Sequence, residues 1–124
     1  MEQKFYICEI CGNITAMITN SGVPVVCCGR KMTKMVPAAD EAGNEKHSPV
    51  WRLEDGKVRI TVGAAAHPMT PEHSIAWIAV STRQGFQYRQ LNVSEPPAAC
   101  FAVDEEDEVT AVYAYCNLHG LWKA

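Results

Sequence analysis

This 124-residue sequence predicts a mostly β protein in two parts: a small metal-stapled β domain over residues 1–36 and, beyond a linker at 37–44, an antiparallel β-sandwich over 45–124. Three observations carry that expectation. Cys8, Cys11, Cys27 and Cys28 cluster at the front, whereas His47, His67, His73 and His119 all lie behind them. The stretch Pro37-Ala38-Ala39-Asp40-Glu41-Ala42-Gly43-Asn44 is small and polar without periodicity, as between domains. From Val50 onward, short apolar or alternating runs are separated by turn residues, with almost no helical period.

Composition sets the broad class. A chain that is 48% hydrophobic and 20% charged has the makings of a folded core and is neither disordered nor fibrous. Its 11 Lys+Arg against 14 Asp+Glu leave a net charge of −3. Nucleic-acid binding, which needs a basic face to displace counterions from phosphates, is excluded on that balance. The opening Met1-Glu2-Gln3-Lys4-Phe5-Tyr6 lacks the basic start and apolar run of a secretory signal, and no apolar stretch approaches the roughly 20 residues that span a bilayer. The expected location is therefore the cytoplasm, with no membrane partner. In that reducing compartment clustered thiols are metal ligands rather than disulfides.

Residues 1–36 are too few to bury a core unaided, so the cysteines supply the staple. Cys8-x-x-Cys11 followed by Cys27-Cys28 offers four thiolates, and such a soft site accepts zinc and iron alike. The adjacent pair is unusual, because neighbouring side chains tend to point apart; a distorted tetrahedron is expected, and a vicinal Cys27–Cys28 disulfide is the weaker alternative. Gly12 and Gly29, each just after a cysteine pair, suit turns that bring backbone amides near the sulfurs.

In the second part, Lys57-Val58-Arg59-Ile60-Thr61-Val62 alternates as a half-buried strand should. Asp55-Gly56 before it supplies the positive φ of a tight hairpin, which makes Val50-Trp51-Arg52-Leu53 its partner. Further strands are expected at 75–80, 86–91, 98–103 and 109–115, divided by Thr82-Arg83-Gln84-Gly85 and Ser94-Glu95-Pro96-Pro97. Between them His67-Pro68-Met69-Thr70-Pro71-Glu72-His73 carries two prolines and reads as a loop or a single helical turn, with Thr70 as its cap. Cys100 reads as a buried strand thiol and Trp51, Trp77 and Trp122 as core or site walls. Asp104 to Glu108 reads as a solvated loop, and Met32, Met35 and Met69 as packing.

A single histidine is more often structural than a ligand, but these have telling neighbours. His67 and His73 bracket the rigid loop, His119 follows Cys116 by three residues, and His47 precedes a proline at the domain start. Four imidazoles and a thiolate make five ligands, which disfavours closed four-coordinate zinc and favours an open-shell metal with one position left for substrate. No Cys-x-x-Cys-His haem motif occurs.

The strings Glu45-Lys46-His47-x-Pro49, His67-Pro68-Met69-x-x-x-His73-x-Ile75-x-Trp77-Ile78 and Cys116-Asn117-x-His119-Gly120-x-Trp122 resemble the motifs of superoxide reductases. The front cysteine pattern is similar to a desulforedoxin-type domain, so the whole resembles the two-iron desulfoferrodoxin family. That resemblance implies two non-haem irons per chain. One is a rubredoxin-like iron centre held by the four thiolates of Cys8, Cys11, Cys27 and Cys28. The other, in an immunoglobulin-like sandwich, has His47, His67, His73 and His119 around the iron and Cys116 axial, with His119 binding through Nδ1. It further implies one-electron reduction of superoxide to hydrogen peroxide without release of dioxygen. In the family's pattern Lys46 steers the anion, Glu45 ligates the ferric iron after turnover, a rubredoxin-like protein donates electrons and the chain forms a homodimer. The competing readings are a non-catalytic iron electron-transfer protein, a cupredoxin-like copper protein, for which no methionine follows His119, and a zinc-stapled binding module, which leaves the histidine spacing unexplained.

Overall fold

Alternating polar and apolar residues fix which face of each strand turns inward, and the computed structural model, which describes residues 2–38, 47–63 and 67–124, shows the result. The chain divides into two compact units, Met1–Val36 and Pro37–Ala124. Among the described residues no helix is long and apolar enough to cross a membrane.

The first unit is built of very short strands: β1 (Phe5–Ile7), β2 (Ile14–Ala16), β3 (Val26–Cys27), β4 (Arg30–Lys31) and β5 (Thr33–Lys34). They form a sheet in the order β2-β1-β5 and a separate β3-β4 hairpin. Among its described residues only Phe5, Cys8 and Met32 are buried, while Ile10, Ile18, Val23, Val26 and Val36 face solvent. So small an apolar core cannot by itself offset the entropy of ordering the segment, which is the physical reason for a staple.

The second unit is an immunoglobulin-like antiparallel sandwich. One sheet has the order β10-β7-β6, from β6 (Pro49–Glu54), β7 (Lys57–Val62) and β10 (Ala98–Ala102). The other has the order β12-β11-β8-β9, from β8 (Ile75–Thr82), β9 (Phe86–Gln90), β11 (Val109–Cys116) and β12 (Gly120–Lys123). Val58, Ile60 and Val62 of β7 with Ala99 and Phe101 of β10 meet Ile78 and Val80 of β8 and Val112 and Ala114 of β11, a core that water does not reach. Cys116 is fully buried at its end. The β6–β7 hairpin turns on Asp55 and Gly56, at φ 52° and 73°, the two positive angles that a type I′ turn requires. Val109 to Cys116 turns through Asn117-Leu118-His119 into β12, a strand that sequence patterning does not predict because four residues carry little periodic signal. Ala38, in the stretch read as linker, bridges in parallel to Trp122, exchanging backbone hydrogen bonds with Leu121 and Lys123.

Two expectations about single residues are corrected. Cys100 is exposed: alternation along β10 sends Ala99 and Phe101 into the core and Cys100 outward. Trp51 is 38% exposed, because β6 is an edge strand with no neighbour beyond it among the described residues.

Candidate metal centres

The first constellation starts with local backbone chemistry. At Cys8-x-x-Cys11 the Gly12 amide donates to the Cys8 carbonyl (2.8 Å) and the Cys8 amide to that of Asn13 (2.8 Å), closing a turn with Gly12 at φ 82°. Opposite lies the β3–β4 hairpin, whose register pairs Cys27 with Arg30 and leaves Cys28 and Gly29 as a two-residue loop. Their φ angles of 53° and 74° make it another turn of the I′ kind. This answers the puzzle of adjacent cysteines. The left-handed backbone at Cys28 reverses the chain between the two side chains, so both sulfurs join Cys8 and Cys11 in one group whose atoms all lie within 4.8 Å of one another.

Cys11 Sγ and Cys27 Sγ are 3.6 Å apart. Four sulfurs at the usual metal–sulfur distance of about 2.3 Å from one ion are separated by about 3.8 Å, so the spacing fits a tetrahedral metal. Asn13 Nδ2 donates to Cys27 Sγ at 3.6 Å. Crowding of the thiols spreads their acidities. Backbone amides of Cys11 and Ile10 hold Cys8 down at about 6, while hydrogen bonding with Cys11 and Cys8 pushes Cys27 up and Cys28 up to about 12.

The second constellation gathers residues from distant parts of the sandwich. The imidazole centroids run round a ring: His47 to His67 4.8 Å, His67 to His73 4.6 Å, His73 to His119 5.0 Å and His119 to His47 4.6 Å. Across the ring His47 and His73 are 6.3 Å apart, close to the diagonal of a square on those edges. Consecutive rings are steeply inclined, at 65° to 79°. Donor atoms of His47, His67, His73 and Cys116 lie within 4.8 Å of one another. His119 adds Nδ1, 3.0 Å from His47 Nε2 and 3.6 Å from Cys116 Sγ.

A hydrogen bond decides which nitrogen the His67 ring offers. His67 Nδ1 faces the Pro68 carbonyl at 2.7 Å, which leaves Nε2 directed elsewhere. His67 Nε2 and His73 Nε2 are both buried without a hydrogen-bond partner among the described residues. Orphaned buried polar atoms are costly, and two of them in one ring of imidazoles are what a bound metal cation satisfies. Burial, with the neighbouring His47, His73 and His119, keeps His67 neutral against the opposing pull of the Pro68 carbonyl, so its lone pair is available to a metal.

Neighbouring groups hold the ring in shape. Thr70 Oγ1 accepts from the His73 amide (3.1 Å), as a cap does, and β8 begins two residues later. Met69 packs against the core, its sulfur accepting from the Ile75 amide at 3.4 Å. Trp122 is buried and stacks on His47 with centroids 4.9 Å apart and planes at 16°. Trp77, half-buried, stacks on Tyr115 at 5.5 Å. Sequence reasoning missed Asn117, whose Oδ1 accepts from the Ser74 amide and whose Nδ2 donates to the Glu72 carbonyl, both at 3.0 Å, tying the His73 loop to the turn bearing His119. Its place between Cys116 and His119 was the available signal. Glu45 and Lys46 lie outside the described residues.

Comparison with known proteins agrees with this architecture. The desulfoferrodoxin family model matches residues 39–124, and that of the desulfoferrodoxin N-terminal domain matches residues 1–35. A desulfoferrodoxin homologue from Archaeoglobus fulgidus is 41% identical over 121 residues, covering 98% of this chain and 95% of its own. The crystal structure of the superoxide reductase from Treponema pallidum superposes with a TM-score of 0.83 at 35% identity, covering 99% of this chain and 97% of that one. A one-iron superoxide reductase from Giardia intestinalis, at 33% identity and a TM-score of 0.55, covers 64% of this chain and 95% of its own. Two cysteine- and histidine-built donor sets, a sandwich of matching topology and matches over nearly the whole length lead to one conclusion: the chain belongs to the desulfoferrodoxin family.

Proposed function

We propose that the protein is an enzyme that reduces superoxide to hydrogen peroxide by one electron and two protons, without producing dioxygen. The observation that carries this reading is the near-square of four imidazoles with the Cys116 sulfur beside it, five donors that leave a metal one position short of six. In this reading His47, His67, His73, His119 and Cys116 hold one iron, and Cys8, Cys11, Cys27 and Cys28 hold a second. Bound iron supplies the electron and a cationic place for the anion to bind.

The residues of the chain do the rest. Pro68 fixes the His67 ring, Asn117 and Thr70 fix the loop bearing His73, and Trp122 backs His47, so the donors need little rearrangement. Cys116 lies in an apolar core, where the attraction between its sulfur and a cation is stronger than in water. Lys46, next to His47 in the chain, gives local positive potential on a protein of net charge −3 and raises the anion's encounter rate. Glu45, two residues before His47 in the chain, would supply a carboxylate ligand to the metal of this centre. The domains are read as a cysteine-metal domain at 1–36, a linker at 37–44 and the sandwich at 45–124, working in the cytoplasm as a homodimer that detoxifies superoxide and draws electrons from a rubredoxin-like donor.

The test is the yield of hydrogen peroxide per superoxide consumed by the pre-reduced protein under anaerobic conditions, with dioxygen recorded in the same vessel. One peroxide per superoxide and no dioxygen is expected. One peroxide for every two, with dioxygen released, would mean dismutation, and no reaction would mean an electron-transfer protein.

A further inference from the structure

Away from both metal centres, the outer face of the β10-β7-β6 sheet carries a cavity of about 400 Å³. Its polar lining comes from Arg52, Arg59, Thr61, Arg89 and Cys100. Register explains how the charges meet. Arg52 of β6 lies directly opposite Arg59 of β7, which lies directly opposite Cys100 of β10, so the three form one row across the sheet. Arg89 joins from β9 of the other sheet.

Like charges directly opposite on neighbouring strands repel, whereas an opposite charge there is stabilising. Here the only ion pair among the described residues is Arg52 with Glu54 (3.1 Å), so neither Arg59 nor Arg89 has a carboxylate partner among them. Three of the five arginines of a chain with net charge −3 thus converge on one concavity, two of them unneutralised by any described residue. Folding does not call for that arrangement; a bound anion would relieve it. Guanidinium groups are planar forks that match phosphate and carboxylate oxygens two at a time. The remaining walls are apolar, from Val50 and Ala98, which flank Thr61 in the next outward row, and the volume falls in the range of small-molecule sites rather than that of a bare ion.

We infer that this cavity binds a small organic anion, its phosphate or carboxylate held by Arg59 and Arg89 with Arg52 beside them, and its apolar body lying against Val50 and Ala98. The site is independent of the proposed chemistry at the metal centres. It lies near the second of them along the chain: β6 begins two residues after His47, and the three residues from His47 to Val50 span at most about 11 Å.

Cys100 provides the reporter. It is the one cysteine outside the two donor sets, and it is exposed. The metal-loaded protein is alkylated with iodoacetamide, which is uncharged, and labelling of Cys100 is followed by mass spectrometry in the presence of phenyl phosphate, benzoate or chloride at matched ionic strength. Phenyl phosphate or benzoate is expected to slow labelling at least fivefold with saturation, chloride is not, and the stronger protector identifies the anion class. Arg59→Gln and Arg89→Gln should each raise the half-protecting concentration at least tenfold, and Arg59→Lys should retain part of the protection, which separates lost charge from lost fold. Protection no greater than that by chloride, or protection unchanged in both glutamine variants, overturns the proposal. So does protection that needs no added anion and grows with protein concentration, which would mean that a second copy covers the face.

Discussion

Replacing Gly29 by alanine tests whether the turn at the paired cysteines is what assembles the first metal site. Gly29 stands at φ 74° as the second residue of the Cys28–Gly29 loop. A Cβ built there meets nothing within 4 Å, so the substitution introduces no clash and acts through backbone conformation alone. Holding an L-residue in that left-handed region costs about 1–2 kcal/mol. The unit buries only Phe5, Cys8 and Met32 among its described residues, so its folding is coupled to metal binding and the cost falls on affinity. A loss of about 1–2 kcal/mol lowers the metal association constant about 5–30-fold. The assay is chelator competition on the loaded protein, following metal in the cysteine centre separately from that in the histidine centre. Gly85→Ala is the control, since Gly85 lies outside the positive-φ region and a Cβ there also meets nothing. Affinity of Gly29→Ala within twofold of the parent, or equal losses in both variants, would refute the turn argument.

Further predictions follow from the same geometry. In the metal-free protein Cys27 and Cys28 are held protonated at neutral pH, Cys28 with its value near 12, while Cys8, near 6, is already ionised. Metal binding then expels at least two protons, so between pH 7 and 8 affinity should rise about 100-fold or more per pH unit, by linkage. Below about pH 6 Cys8 adds a further proton and the fall steepens; a slope below two in buffered chelator titrations contradicts this assignment. Asn117→Ala removes two hydrogen bonds that tie the His73 loop to the His119 turn, at about 0.5–1.5 kcal/mol each. It should weaken metal retention in the histidine centre and leave the cysteine centre untouched, as metal analysis after graded chelation would read out. Lys46→Ile should slow the reaction with superoxide and flatten its dependence on salt in pulse-radiolysis kinetics. An unchanged rate at low ionic strength would remove the steering role.

The legibility of each feature depends on how far apart its parts lie in the chain. Cys8-x-x-Cys11 and the Asp55-Gly56 hairpin are local, set by a few φ angles, and both are plain in the sequence. The β7 alternation likewise foretells Val58, Ile60 and Val62 inward and Lys57, Arg59 and Thr61 outward. Cys100 defeats the expectation of burial because its apolar neighbours hide the phase of the strand; with Phe101 facing the core, period two sends Cys100 to solvent. Trp51 does so because edge and central strands look alike in composition, and exposure depends on which strand lies next to β6.

Residue chemistry and short spacings therefore determine on their own that this chain is mostly β, carries sulfur and imidazole in separate sets, and resembles the desulfoferrodoxin family. Tertiary structure alone decides how those sets close. His47 and His119, 72 positions apart, come within 3.0 Å because the approach to β6 and the β11–β12 turn meet at one end of the sandwich. Cys27 and Cys28 share a centre because Cys28 takes a left-handed conformation that its neighbours in sequence do not announce. The arginine row exists only through the register of β6, β7 and β10. Backbone angles and periodicity are properties of a few consecutive residues, whereas the position of one strand against another is settled by burial and hydrogen bonding summed over the whole core.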